Sequence, residues 1–203
     1  TVDQASSILG YDLQEVANDD AKIKQTAYAQ PAILTMSHAI INALGDALPT
    51  PVAGLGLSLG EYSALSASGA LDFDQAVAII KDRGMYMQTL GDANPGKMVA
   101  VMGDNQKLVA DVLTTLQADG KHVYPANYNT FAQLVIGGVP RDVDVAMTAL
   151  SEAGIQRMVE LPVSGAFHTP LLTDAATQLT ERLSGETFRD MQYPVYSNTT
   201  GKQ

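Results

Sequence analysis

The sequence predicts an α/β fold in which a larger α/β domain is interrupted by a smaller unit. Three observations carry the prediction. An apolar run at 52–57 leads through a glycine-flanked serine into a helix-forming run. The turn signal Asn94-Pro95-Gly96 marks a change of character, and the elements that follow it have the order βαββαβ.

In the first part, Ile33, Leu34, Ile40, Ile41 and Leu44 recur at helical spacing, Pro31 suits a first helical turn and Gly45 a C-terminal cap, so a core helix is expected over 31–44. Pro49 and Pro51 mark a turn, and 52–57 reads as a short buried strand. A helix follows over 59–68, and Asp72 with Gln75 has the form of a capping box for another helix reaching about Leu90. Beyond Gly96, strands are expected at 97–102, 122–126, 133–136 and 156–161, with helices at 105–117 and 142–153. This order is the split-βαβ, or ferredoxin-like, pattern. It divides the chain into a large subdomain at 1–95 and 164–203 and a small one at 96–163.

Composition narrows the function. Of 203 residues, 46% are hydrophobic and 17% charged, enough apolar material for a self-sustaining core. The absence of cysteine excludes disulfides, thiol nucleophiles and cysteine metal sites, and a reducing, cytoplasmic setting is the simplest reading. A net charge of -10 without any basic run argues against nucleic acid as a partner. The chain starts without a positively charged leader and has no apolar run of membrane-spanning length, so no membrane association is expected.

The chemistry centres on Gly56-Leu57-Ser58-Leu59-Gly60, a G-x-S-x-G pattern between strand and helix. Such a turn exposes the serine as a nucleophile and aims the backbone N–H of Leu59 at a substrate oxygen from the helix start. The same residues also fit a helix N-cap with small neighbours. Of three histidines, His38 lies within a helix and His122 at a strand start. His168 lies in the irregular stretch PVSGAFHTPLL, where a base could reach the serine. Arg83 falls on the apolar arc Ala76, Val77, Ile80, Gly84 and Met87 of its helix. A buried arginine requires an anion, supplied either by an internal Asp or Glu or by a substrate carboxylate.

With their flanking strings, Ser58, Arg83 and His168 resemble the malonyl-CoA:acyl carrier protein transacylase family, which includes the acyltransferase domains of fatty acid and polyketide synthases. ILGYDLQEV from Ile8, TAYAQPAIL from Thr26, GLSLGEYSAL from Gly56, DRGMYMQ from Asp82, ANYNTFAQLVIGG from Ala126, PVSGAFHTPLL from Pro162 and YPVYSNTTG from Tyr193 are similar to family blocks, in the family order. The resemblance implies an α/β-hydrolase-like large subdomain with a parallel sheet, interrupted by a ferredoxin-like insert. It implies a ping-pong transfer of malonyl from malonyl-CoA to the phosphopantetheine thiol of acyl carrier protein, with Ser58 as nucleophile, His168 as base and acid, and Arg83 on the malonyl carboxylate. No metal or cofactor is implied beyond the coenzyme A thioester and the carrier's own arm. Gly165 to His168 favours malonyl over methylmalonyl, and Gln30 and Asn129 match polar positions lining or supporting the site. The chain carries Leu57 where many members have histidine. The family's G-Q-G-x-Q turn, which completes the oxyanion hole, and its segment orienting the histidine have no counterpart between Thr1 and Gln203, so the resemblance implies either a fragment of a longer protein or a truncated form. A serine esterase or thioesterase uses the same turn, and a non-catalytic fragment of a modular synthase would keep the fold.

Overall fold

A computed structural model describes residues 1–163 and 165–203. The chain divides into two compact units, Thr1–Tyr86 with Gln178–Gln203, and Met87–Thr177.

The first unit contains α1 (Val2–Leu9), α2 (Leu13–Ala17), α3 (Thr26–Leu44), β1 (Gly54–Leu55), α4 (Leu59–Ala67), most of α5 (Phe73–Ala93), the end of α8 (Thr173–Ser184) and β6 (Val195–Tyr196). Its core joins Ala5 and Leu9 of α1, Leu13 of α2, Leu34 of α3 and Leu71 to Ala76, Val77, Ile79 and Ile80 of α5. The predicted apolar arc of α5 is therefore its buried face. Asp72 caps this helix by accepting the Gln75 N–H at 2.8 Å, while the Gln75 amide turns away to Glu186. β1 and β6 pair in parallel, Gly54 with Val195 and Leu55 with Tyr196.

Three expectations for this unit are corrected. Helix α3 starts at Thr26, which leaves Pro31 inside it rather than in its first turn. An interior proline costs about 3 kcal/mol, set here against the apolar burial of Pro31 and Leu34 on the inner face of the helix. Of the expected apolar stripe only Leu34 is fully buried, and Ile33, Ile40 and Leu44 are exposed. The strand expected at 52–57 contracts to Gly54–Leu55, with Val52 and Leu55 exposed.

The second unit follows its predicted order: β2 (Lys97–Met102), α6 (Gln106–Ala118), β3 (Val123–Thr130), β4 (Gln133–Gly138), α7 (Pro140–Glu152) and β5 (Met158–Glu160). The strands form one antiparallel sheet in the order β3-β4-β2-β5. Period-two alternation assigns its faces. Val99, Val101, Leu134 and Ile136 pack with Val109 and Leu113 of α6 and Val143 and Leu150 of α7, whereas Met98, Ala100 and Val135 meet Phe167 and Leu161 on the other side. Each fully buried Ile or Leu of this core contributes about 2 kcal/mol. Among the described residues, no helix is long and apolar enough to cross a membrane, and no group of acidic or histidine side chains could hold a metal ion.

Candidate active site

Ser58 stands at the junction of β1 and α4 with φ 55° and ψ -111°, a conformation that costs a side-chain-bearing residue of order 1–3 kcal/mol. Gly56 makes the turn possible. A Cβ there would lie 2.1 Å from the Gly60 carbonyl carbon and oxygen, so the chain before the serine runs directly against the first turn of α4. The N-cap alternative is settled by the side chain, because Ser58 occupies the cap position without making a capping hydrogen bond. Its Oγ instead accepts a hydrogen bond from Arg83 Nη2 at 3.0 Å. Leu59 opens α4 and presents one of the N–H groups that a helix start leaves without an intrahelical partner.

Arg83 is 8% exposed. Gly84 brings its helix close to α3, since a Cβ at 84 would sit 3.0 Å from the Thr26 carbonyl oxygen. This close approach places Arg83 Nη1 on Gln30 Oε1, as donor to acceptor. The Gln30 amide is oriented from its other end, where Nε2 donates to Thr26 Oγ1 at 2.8 Å. Because arginine has no acceptor, Gln30 must turn its oxygen toward residue 83 and its nitrogen toward residue 26. The Arg83 Cζ also lies 5.6 Å from the centre of the Tyr62 ring.

None of the ion pairs among the described residues includes Arg83. Its hydrogen-bond acceptors, Gln30 and Ser58, are neutral. Burial lowers its affinity for the proton, while Tyr62 and Glu61 oppose that change. A buried cation aimed by neutral groups keeps most of its charge uncompensated by the described residues around it.

The structure thus brings Ser58, Leu59, Arg83 and Gln30 together. His168 and Asn129 belong to the second unit. His168 is exposed and has φ 61°, and it and Ser58 are the non-glycine residues with positive φ among those described. Asn129 is exposed on β3, and its amide donates to Gln133 Oε1 at 2.8 Å. His38 proves to be a core residue, tilted against Phe73 with ring centres 5.0 Å apart. Thr26 and Tyr62 join the site without having been singled out in the sequence. The available signal was helical spacing, since Thr26 is four residues before Gln30 and Tyr62 four after Ser58.

A strained serine between a parallel strand and a helix, in an α/β chain, defines the nucleophile-elbow class of site. Residues 4–203 match the model of the acyl transferase domain family. The malonyl CoA-acyl carrier protein transacylase of Bacillus subtilis is 37% identical over 182 residues, 90% of this chain and 57% of that protein. The crystal structure of MCAT from Streptococcus pneumoniae superimposes with a TM-score of 0.92 at 46% identity, over 99% of this chain and 66% of that one. The malonyl-transacylase PlMCAT, solved in complex with the type II PKS acyl-carrier protein AntF, gives a TM-score of 0.93 at 34% identity, again over 99% and 66%. The chain belongs to the acyl transferase domain family. It spans 57% to 66% of the length of these relatives.

Proposed function

We propose that the protein to which this chain belongs transfers a malonyl group from malonyl-CoA to the phosphopantetheine thiol of an acyl carrier protein. The observation that carries the proposal is the buried Arg83, neutrally partnered and hydrogen-bonded to Ser58 Oγ at 3.0 Å. A short diacid monothioester suits this pair: its free carboxylate takes the guanidinium while its thioester carbon meets the serine oxygen.

In this reading Ser58 Oγ attacks the thioester carbonyl and gives its proton to His168. The N–H of Leu59 stabilises the oxyanion, and the coenzyme A sulfur leaves with the proton from His168. The carrier thiol then attacks the malonyl ester, loses its proton to His168, and Ser58 is regenerated with that proton. Gln30 orients Arg83, and Asn129 supports the site from its hairpin. The reaction uses no metal or redox cofactor, and the setting is cytoplasmic. Residues 96–163 act as the inserted subdomain, with 1–95 and 164–203 forming the catalytic one. The names of the relatives from B. subtilis and S. pneumoniae and of the carrier complex support the reading.

The test is intact-mass analysis of the full-length protein after mixing with malonyl-CoA. The expected result is one malonyl adduct, absent from Ser58→Ala. An adduct that persists in Ser58→Ala, or none on the unmodified protein, contradicts the proposal.

A further inference from the structure

Ser58-Leu59-Gly60-Glu61 has the S-x-x-E form of a capping box. In that motif the serine side chain accepts the N–H of the glutamate, and the glutamate carboxylate accepts the N–H of the serine. Here the box is opened and a third residue stands in it. The Ser58 N–H donates to Asn198 Oδ1 at 2.6 Å, and the backbone N–H of Asn198 donates to the Glu61 carboxylate at 3.2 Å. The Glu61 N–H is taken by the Ser58 carbonyl at 3.2 Å, so the serine hydroxyl has no capping duty.

We infer that Asn198 and Glu61 are positioning residues that hold the Ser58 elbow in its uncapped form and keep the hydroxyl available to Arg83 and to an acyl donor. The inference rests on Ser58 being the nucleophile. Its physical basis is competition between two states of one turn. A closed box would return Ser58 from φ 55° to the extended conformation usual at an N-cap and tie its Oγ to the helix. Asn198 blocks that state by supplying the acceptor for the Ser58 N–H that the Glu61 carboxylate would otherwise provide. The link joins the β1–α4 turn to the segment just after β6, 140 residues away in sequence. The parallel pairing of β1 with β6 sets the two segments side by side.

The test measures single-turnover acylation of the full-length protein across a range of malonyl-CoA concentrations, together with hydrogen exchange at the Ser58 amide. Asn198→Ala should lower the maximal acylation rate about tenfold, the loss of one hydrogen bond's worth of positioning, with the half-saturating concentration unchanged because Arg83 is intact. Asn198→Asp keeps the acceptor and should restore the rate to within roughly threefold, a residual assigned to its added charge. Exchange at the Ser58 amide should quicken in the alanine variant and recover in the aspartate one. An alanine variant with unchanged rate and exchange overturns the inference, as does a loss confined to half-saturation or an aspartate variant that folds normally without restoring the rate. If the unmodified protein forms no adduct at all, the nucleophile reading fails, while the exchange comparison still decides whether Asn198 holds the turn.

Discussion

The two units of the chain spend their polar groups differently. In Met87–Thr177 the buried side-chain polar atoms of the described residues are all partnered. Every buried side-chain oxygen or nitrogen without a partner among the described residues, on Tyr11, Thr35, His38, Ser63 and Ser66, lies in the first unit. The first unit also holds the buried Arg83. The antiparallel sheet with helices on it leaves no buried polar side-chain atom unpartnered among the described residues, whereas the unit carrying Ser58 tolerates several, and each unit holds one non-glycine residue of positive φ, Ser58 in the first and His168 in the second.

Five substitutions probe this difference between the units. The largest effect is expected from Gln30→Glu, which would supply Arg83 with the internal carboxylate it lacks. Acylation by malonyl-CoA should fall by about 10²–10³-fold as the guanidinium is neutralised in place, measured as kcat/KM. A variant of near-normal activity would show that the neutral partner is incidental.

Next in size is Gly56→Ala, whose new Cβ must displace the Gly60 backbone. It should destabilise the fold by about 2–3 kcal/mol, read from the urea midpoint. Gly60→Ala is the control, since a Cβ there meets nothing within 4 Å. That change should be neutral to stabilising by up to about 1 kcal/mol. The G-x-S-x-G pattern treats the two glycines alike, and the structure separates them.

In the second unit, Ile136→Val should cost about 1 kcal/mol and leave the preference for malonyl unaltered. A changed preference would mean that the sheet does more than support. The smallest effect concerns His38, whose imidazole is held below its ordinary pKa by burial. The unfolded chain takes up a proton near the ordinary histidine value while the folded state resists it. The stabilisation is therefore complete above that value and is lost as pH falls through it toward the folded pKa. His38→Gln should flatten the dependence of the urea midpoint on pH in that acidic window, and an unchanged dependence would remove His38 as its source.

The same contrast explains what was legible in the sequence. The βαββαβ unit could be read because short apolar runs bounded by turn signals alternate in it with helix-length segments, so Lys97–Met102 was bounded to the residue although its partners β4 and β5 are distant in sequence. Ser58 and Arg83 were legible because each violates a local rule, a serine between glycines and a cation on an apolar stripe. The start of α3 was not, because packing along α3 outweighed the local meaning of Pro31. Nor could the exposure of Ile33, Ile40 and Leu44 be read from helical spacing, which marks an apolar stripe without showing what covers it. Asn198 lay beyond local reasoning altogether, since its partners are 137 and 140 residues away.

In the proposed reaction Arg83 awaits a substrate carboxylate beside Ser58. The most direct test of this role compares acylation of the full-length protein by malonyl-CoA and by acetyl-CoA, with Arg83 intact and as Arg83→Ala. The predicted result is a strong preference for malonyl in the intact protein that collapses in the variant, with acetyl transfer to Ser58 retained or increased. An Arg83→Ala protein that still prefers malonyl to the same degree would remove Arg83 as the group that holds the carboxylate.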